Sequence, residues 1–268
     1  MKKTVLFAAA LLSSAAIAQT GEITSAKGEN WLSQDGDWGL TFDANPLLNY
    51  GGNLFNGTAG NNIGGGLTWA NPWFAIQGKK LTAANKALRA KVRIGFGNQK
   101  DTDLVPSTDP NAAAGTLVDD VTKNSQFNLV LGVGMENRVG STRVVGVYGA
   151  EAYLAFGSSN TKYEYGNAAS ADNPVSGRVT ESKGGSTFGF GVGAFVGVEW
   201  FCAPKVSLSG EYTWGLMLSS TGHTSNTSET WDGTSVVTTT VDGGTKEFDF
   251  GIDTGVTGGS VGINFYFQ

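Results

Sequence analysis

Apolar and polar side chains alternate along several segments of this chain, which is the pattern of a β-strand with one apolar and one polar face. In the segment 88–96 the even positions are apolar and the odd positions are basic or glycine. The same period of two recurs in 127–135, 188–200 and 206–216. No stretch repeats closely enough to indicate a solenoid or a propeller, so the pattern predicts a single all-β domain.

The alternation predicts eight antiparallel strands, of which the second and the eighth carry the weakest pattern. Pro72 disfavours a central strand in the second. In the eighth, the apolar positions change from even to odd numbers, so a bulge or a loop must interrupt it. An extra hairpin in 51–79 or 219–260 would raise the count to ten strands. The predicted strands are 38–50, 67–79, 87–98, 126–137, 143–157, 186–201, 205–218 and 247–267.

The connections between these strands alternate between long and short. Short turns at one end and long loops at the other, with an even number of strands, are typical of bacterial outer-membrane barrels. Both chain termini would then lie at the short-turn, periplasmic side. The long polar connections are predicted at 51–66, 99–125, 158–185 and 219–246, and the short ones near 80–86, 138–142 and 202–204.

The first 18 residues have the features of a secretory signal peptide. A basic start precedes an apolar stretch, and cleavage near Ala18 fits the rule for small residues at the cleavage site. We predict a flexible periplasmic leader over 19–36 and a barrel domain over 37–268. No later stretch approaches the roughly 20 apolar residues that a membrane helix needs. A membrane location would therefore require a closed barrel.

Composition excludes several classes of protein. Charged residues make up 15% of the chain and aromatic residues 11%, whereas a disordered chain carries more charge and fewer aromatics. The net charge of −5 argues against a nucleic-acid binder, which is normally basic. The single Cys cannot form an internal disulfide or a paired-cysteine zinc site. We expect no metal, no cofactor and no nucleic-acid partner.

The content of the two strand faces favours a barrel that faces lipid over a secreted sandwich or a soluble periplasmic barrel, which is the alternative. The polar face combines glycines with charged residues, as suits a narrow interior, and the apolar face carries large aromatics near strand ends. Aromatic girdles at both membrane interfaces are expected of such barrels. The predicted interface aromatics are Trp38, Trp200, Phe201, Trp214 and Phe267.

With eight strands, the interior of the predicted barrel is just wide enough for side chains to fill it. Because uncompensated buried charges are strongly unfavourable, we predict a salt-bridge ladder that plugs the interior, with Arg89 directly opposite Glu136. The alternative is a watery lumen whose charges pair loosely. The predicted network consists of Asp43, Arg89, Lys91, Arg93, Glu136, Glu151, Glu199 and Glu211.

The C-terminal segment 261–267, which alternates and ends on Phe267, resembles the terminal strand of the small outer-membrane β-barrels of the OmpA and OmpX type. An extra Gln268 follows the aromatic residue. Together with the signal peptide and the loop asymmetry, the resemblance covers about 38–267. It implies a transmembrane up-and-down barrel in the bacterial outer membrane. Its implied partners are outer-membrane lipid, lipopolysaccharide, other envelope proteins and the barrel-assembly machinery, which would recognise this strand.

Candidate chemistry is sparse. His223 has hydroxyl neighbours, and Glu229 follows in the same loop, so a catalytic triad is one alternative. Loops rich in Ser and Thr place a hydroxyl near any His by chance, so we expect no enzyme. Cys202 lies in a short turn and is expected to be a buried free thiol. Tyr163, Tyr165 and Trp231 could anchor a partner or simply pack locally.

These observations predict a structural, adhesive or complex-forming barrel that acts through its long extracellular loops. Loops on a rigid scaffold are where binding usually resides. Two alternatives stay open. One is a narrow pore for small solutes, and the other is a lipid-modifying enzyme that uses His223.

Overall fold

The computed structural model describes residues 23–44, 76–253 and 258–268. In these ranges the regular structure consists of twelve β-strands, and none of it is helical. Accordingly, the described residues contain no helix that could cross a membrane. The strands are β1 Trp38–Asp43, β2 Ile76–Ala83, β3 Lys86–Pro106, β4 Leu117–Val139, β5 Val144–Glu164, β6 Arg178–Lys183, β7 Thr187–Ala203, β8 Val206–Thr221, β9 Thr224–Trp231, β10 Val236–Gly243, β11 Glu247–Ile252 and β12 Gly258–Phe267.

Eight of these strands form a closed ring in which each strand pairs antiparallel with two neighbours. The order around the ring is β1, β2, β3, β4, β5, β7, β8 and β12. The ring closes where β12 pairs with β1, with Phe267 opposite Trp38. The prediction of eight antiparallel strands is confirmed at this level. Of the other four strands, β11 pairs with the last residues of β8 on the same edge as β12, and β6, β9 and β10 lie outside the ring.

The two ends of the ring differ as the sequence predicted. At one end, called the short-turn end, residues 84–85, 140–143 and 204–205 connect neighbouring strands. Lys205 adopts a positive φ of 60° in the last of these turns. Trp38 and Phe267, the ends of β1 and β12, lie at the same end of the ring. The opposite end, called the long-loop end, carries the longer connections.

Much of the predicted loop sequence at the long-loop end is strand. The β3–β4 pairing continues to Pro106 opposite Leu117, so most of the predicted loop 99–125 is an extended hairpin. These extensions are exposed on both faces, so no apolar alternation marks them. Their Thr and Val residues nevertheless favour strands. The alternation therefore predicted only those parts of the strands that have one apolar and one polar face.

The second and eighth strands depart from their predicted bounds. The second is Ile76–Ala83 in the described residues, and the predicted loop 51–66 and Pro72 lie outside them. The eighth divides into β11 and β12, which both pair with β8. Ile252 lies opposite Leu216 and Gly258 opposite Thr213, so the chain has extra residues between them. This interruption is the one that the change of apolar parity predicted.

Large apolar side chains cover the outside of the ring, and we call this zone the apolar belt. On β7 exposed and buried residues alternate strictly from Phe188 to Phe195. On β5 the outward positions from Val144 to Phe156 span about 40 Å of strand. At a strand tilt of about 40° this corresponds to about 30 Å along the ring axis. Exposed members on β7 are Phe188, Phe190, Val192, Val196, Val198 and Trp200.

An apolar cluster closes the short-turn end from inside, and we call it the base cluster. The described part of the predicted leader packs here, because Trp31 and Ile23 cover the cluster. The Lys205 ammonium pairs with the Asp37 carboxylate, and the Lys205 N–H donates to the Trp31 carbonyl. The members of the base cluster are Leu32, Leu81, Ala87, Val145, Val147, Phe201 and Tyr266.

The position of Phe201 corrects a prediction. We expected it among the outward aromatics, but its side chain is fully buried in the base cluster. Its ring stacks on Tyr266 with centroids 5.8 Å apart. The reason is strand alternation, because Trp200 faces outward and its neighbour must then face inward.

Candidate functional site

Charged side chains converge inside the ring because they occupy the inward positions of six different strands. The alternation that puts apolar residues in the belt puts their neighbours inside. Eight of these side chains form what we call the charge network. It comprises Lys79 on β2, Arg89 and Lys91 on β3, Glu136 and Arg138 on β4, Glu151 on β5, Glu199 on β7 and Glu211 on β8.

Arg89 is the centre of the charge network. Its guanidinium lies 2.6 Å from the Glu211 carboxylate, 2.9 Å from Glu151 and 3.3 Å from Glu136. It also donates a hydrogen bond of 2.7 Å to the Gln77 side-chain oxygen. One side chain thereby connects strands β2, β4, β5 and β8 across the interior of the ring.

Two further cations extend the network toward the short-turn end. Arg138 lies 2.6 Å from Glu136 and 2.8 Å from Glu199, so it bridges β4 and β7. The Lys79 ammonium lies 3.1 Å from Glu136 and 3.8 Å from Glu199. All four side chains are fully buried. Glu136 therefore contacts three cations, Lys79, Arg89 and Arg138.

Toward the long-loop end, Lys91 completes the network. Its ammonium lies 2.6 Å from the Glu151 carboxylate. The Tyr153 hydroxyl donates a hydrogen bond to the same carboxylate. The face of the Tyr153 ring lies 5.7 Å from the ammonium, which adds a cation–π contact. The carboxylate of Glu151 thus joins Arg89 to Lys91.

Neutral polar side chains continue the network to the seam where the ring closes. Glu199 accepts hydrogen bonds from the hydroxyls of Ser207 and Tyr266. The Asn264 amide donates to Ser207 over 3.0 Å, and the Thr41 hydroxyl donates to Asn264 over 2.5 Å. Because Thr41 lies on β1 and Asn264 on β12, these bonds cross the closure of the ring.

The charge network is electrically balanced. Four cations face four carboxylates, and none of these side chains is more than 7% exposed. Isolated buried charges are strongly unfavourable, and partners with good geometry offset that penalty. The arrangement fills the middle of the ring with mutually paired groups. The network members thus hold one another through short ion pairs that cross the interior.

Glycines on the inward face make room for these long side chains. A Cβ at Gly134 would lie 2.5 Å from the Glu151 Cγ, and one at Gly197 would lie 2.8 Å from the Glu211 Cγ. A Cβ at Gly149 would lie 2.8 Å from the Phe195 ring, over which the Arg89 guanidinium sits at 3.9 Å. The mixture of glycine and charge on one strand face is thus a packing requirement.

Of the eight predicted network residues, six form part of the charge network as defined above, and the other two lie nearer the long-loop end. Arg89, Lys91 and the four glutamates belong to the charge network. Asp43 is buried on β1, near the long-loop end of that strand. Arg93 is half-buried two residues beyond Lys91 and lines the cavity above the network.

The predicted strand register was off by two residues. Arg89 lies opposite Gly134, and Glu136 lies opposite Ala87. A long connection between β3 and β4 does not fix register, whereas the faces of the strands permit only shifts by an even number. The shift therefore kept both side chains inside, and the 3.3 Å contact forms diagonally.

Four residues of the interior were not among the predicted site residues, namely Lys79, Arg138, Gln77 and Tyr266. Lys79 and Gln77 lie on β2, whose first part carried a weak pattern. Arg138 was assigned to a short turn, but β4 continues to Val139. Even-numbered residues of β4 face inward, so the alternation places Arg138, two residues after Glu136, inside the ring as well. By the same alternation on β12, Tyr266 lies two residues after Asn264 and faces inward.

The remaining predicted interface aromatics point outward. Trp38 is 51% exposed, Trp200 46%, Trp214 52% and Phe267 47%. Trp38 and Phe267 lie side by side at the short-turn end, and the Lys80 ammonium covers the Trp38 ring at 4.6 Å. Trp214 lies opposite Ala194, farther along the belt.

Above the charge network, the interior widens into a cavity of about 860 Å³ toward the long-loop end. Among the described residues, Arg93 is the one charged residue in its lining. Polar lining residues include Gln126, Asn128, Ser159 and Thr187. In the described part of the chain, side chains therefore occupy the middle of the interior, and the cavity lies toward the long-loop end.

The candidate catalytic residues are not arranged as a triad. The His223 ring nitrogen lies 3.2 Å from the Gly244 carbonyl oxygen. Glu229 instead binds the Arg178 guanidinium over 2.8 Å. The two residues lie on or beside one extended strand, about 20 Å apart along it. Among the described residues, no group of side chains could hold a metal ion.

Other side chains at the long-loop end make local contacts. The Tyr165 hydroxyl donates to the Val179 carbonyl over 2.7 Å, and burial raises the pKa of Tyr165. The hydrogen bond from Asn160 lowers the pKa of Glu181, and the Lys183 ammonium adds to this effect.

At the short-turn end, Cys202 is exposed rather than buried, because it follows inward-facing Phe201 on β7.

Comparison of the chain with protein-family models, with curated proteins and with solved structures finds no match.

Proposed function

We propose that this protein is an integral β-barrel of the bacterial outer membrane, closed by its charge network, with a structural, adhesive or complex-forming role at its long-loop end. The observation that carries the proposal is the reversed distribution of side chains. Paired charges lie inside a closed ring of strands, and large apolar residues lie outside. Transmembrane barrels have this distribution, with apolar residues facing lipid and polar residues facing inward.

The apolar belt supports the membrane location. Its height of about 30 Å matches the hydrocarbon thickness of a bilayer. Soluble monomers seldom expose contiguous apolar patches larger than a few hundred square ångströms. Lipid acyl chains and the acyl chains of lipopolysaccharide are the partners that such a belt would take. A soluble barrel or sandwich would have the apolar side chains inside.

The charge network supports a closed interior rather than a pore. Eight strands leave an interior that side chains can fill, and here paired cations and carboxylates occupy it. The base cluster adds a second obstruction at the short-turn end. Function then belongs to the polar strands and loops at the other end, outside the belt.

The C-terminal strand supports assembly in the outer membrane. β12 closes the ring, and its outward residues Ile263, Phe265 and Phe267 continue the belt. In the barrels of the OmpA and OmpX type that the sequence resembles, the corresponding strand is read by the barrel-assembly machinery. We extend that role to β12.

Fluorescence quenching by lipid tests the membrane location. The chain contains seven tryptophans, and two variants would each retain one, Trp214 or Trp231, with Phe at the other six positions. After refolding into vesicles of phospholipid with brominated acyl chains, we expect strong quenching of Trp214, which is in the belt. Trp231, at the end of β9, is the matched control and should stay unquenched. Equal fluorescence of Trp214 in brominated and ordinary vesicles would refute the membrane location.

A further inference from the structure

A small sheet projects from the ring at the long-loop end. β6 pairs with the end of β5, β9 pairs with β6, and β10 pairs with β9. We call β6, β9 and β10 the outer sheet. In the described part of the chain, β10 has a strand neighbour on one side only. All of its residues from Val236 to Asp242 are exposed.

The direction of the free backbone groups on β10 follows from the bonds of its hairpin. The Trp231 N–H donates to the Val175 carbonyl, away from β10, so Trp231 and its partner Val236 do not bond each other. In an antiparallel pair, bonded and non-bonded positions alternate. The N–H and C=O groups of Val236, Thr238, Thr240 and Asp242 therefore point toward the open edge.

This edge has little of the protection that natural sheets give to open edges. Edge strands are usually short, or are blocked by Lys, Pro or a bulge, because their free groups can pair with another strand. β10 is eight residues long and pairs regularly with β9. It contains no Lys, Arg or Pro, and Val and Thr make up six of its eight residues. Such a strand is built to accept a neighbour.

We propose that β10 pairs antiparallel with β10 of a second copy of this chain, about a twofold axis at Thr239. In this register, Thr238 lies opposite Thr240 of the partner copy, and Val236 lies opposite Asp242. All of these positions have free backbone groups, so about eight hydrogen bonds form between the two copies. A β-sheet then continues from one molecule into the next.

The side chains of β10 favour a second copy because they complement themselves. Across the axis, Val237 faces Val241 and Thr239 faces its own copy, and apolar or Thr pairs stabilise antiparallel strands. Asp242 is the one charge on β10, and it faces Val236 rather than another carboxylate. A twofold contact requires such self-complementarity, since each residue must suit its symmetry mate.

This contact involves only the outer sheet, so it does not depend on whether the apolar belt lies in a membrane. One strand pair is a small interface, and small interfaces are typically weak and transient. Covalent cross-linking of the dimer is therefore a more sensitive assay than a measurement of molecular mass at equilibrium.

Disulfide trapping tests the pairing. Thr239 would face its copy at a position without backbone hydrogen bonds, where Cα atoms are about 4.5 Å apart, within the range that a disulfide spans. In a Cys202→Ser background and in detergent, we expect Thr239→Cys to form a covalent dimer under mild oxidation. Thr234→Cys is the matched control, because it lies in the same exposed hairpin but about 30 Å from its copy. Equal yields for the two variants, or no dimer from Thr239→Cys, would overturn the proposal.

A second variant separates loss of pairing from loss of folding. In the Thr239→Cys background, Thr240→Pro removes an N–H that points to the open edge, and Pro is tolerated there because β9 does not use that group. We expect at least tenfold less dimer, while Thr240→Ala should keep the parent yield. Both proteins should retain the same circular dichroism. A dimer yield unaffected by Thr240→Pro would show that contact does not run through the edge of β10.

Discussion

At the scale of single residues, the interior of the ring depends on a few side chains with many partners. Arg89 contacts three carboxylates and Glu136 contacts three cations. Their partners come from different strands, so each residue ties together parts of the chain that are far apart in sequence. Loss of one such residue leaves several buried charges with one partner fewer.

Glu136→Gln should lower the stability of the ring markedly. It would leave Lys79, Arg89 and Arg138 with one carboxylate fewer in a fully buried site. Removing one partner of a buried ion pair typically lowers stability by about 3–5 kcal/mol. Urea unfolding of the refolded protein measures the change.

Glu164→Gln is the control for this substitution. Glu164 also pairs with a lysine, Lys123, but both side chains are exposed. Surface pairs contribute little, so unfolding should occur at the parental urea concentration. If both substitutions had the same effect, burial of the network would not matter for stability.

Gly134→Ala should also destabilise the protein. The added Cβ would meet the Glu151 side chain at 2.5 Å and the Ala150 carbonyl oxygen at 2.7 Å. Overpacking of this kind typically lowers stability by about 1–3 kcal/mol. The matched control is Gly210→Ala, because a Cβ at Gly210 meets nothing within 4 Å. A thermal melt that ranks Gly210→Ala below Gly134→Ala in stability would contradict the role assigned to inward glycines.

At the scale of elements, strand alternation predicts which side chains of a strand share a face, but it does not determine which residues of the paired strand lie opposite them. It placed six members of the charge network inside the ring. The register of β3 against β4 was off by two residues, because a shift of two preserves both faces. The polar extensions of β3, β4 and β5 were missed, since both of their faces meet water and no alternation distinguishes them.

The base cluster could not be predicted from local pattern either. Trp31 and Leu32 lie in a polar segment without periodicity, and their packing depends on contacts with Val145, Phe201 and Tyr266 on distant strands. Long-range contacts of this kind leave no local signal in the sequence. Phe201 shows the converse, because strict alternation after Trp200 would have placed it correctly.

Substitution of two adjacent aromatics on β7 tests this assignment of faces. Phe201→Ala opens a cavity in the base cluster and should lower the free energy of unfolding by about 3–5 kcal/mol. Trp200→Ala removes a larger side chain from the outer surface, where no cavity can form, and should have a smaller effect. Urea unfolding in the same detergent compares the two. An equal or larger loss from Trp200→Ala would contradict the inward position of Phe201.

At the scale of the whole molecule, the interior is obstructed at two levels and hollow at one end. The base cluster fills the short-turn end, the charge network fills the middle, and the cavity beside Arg93 opens toward the long loops. Among the described residues, side chains therefore occupy the interior at two levels, and the cavity beside Arg93, which we call the vestibule, lies above them.

Electrical recording tests this description. If the proposed closed barrel is right, the refolded protein in a planar bilayer should give no steady single-channel conductance, because the charge network would occupy the path through the ring. Protein incorporation is verified in the same bilayers by antibody detection of an epitope tag. Stable openings of the unmodified protein would favour the pore alternative, and Arg93→Gln would then show whether the vestibule selects ions.

The long β3–β4 hairpin has a practical consequence. From Phe96 at the edge of the belt to Pro106, its two strands stay paired over about 30 Å. A peptide epitope inserted in the tip, residues 107–116, would therefore be carried by a rigid hairpin and not by a flexible loop. An antibody could then bind the epitope at a distance of about 30 Å from the edge of the apolar belt.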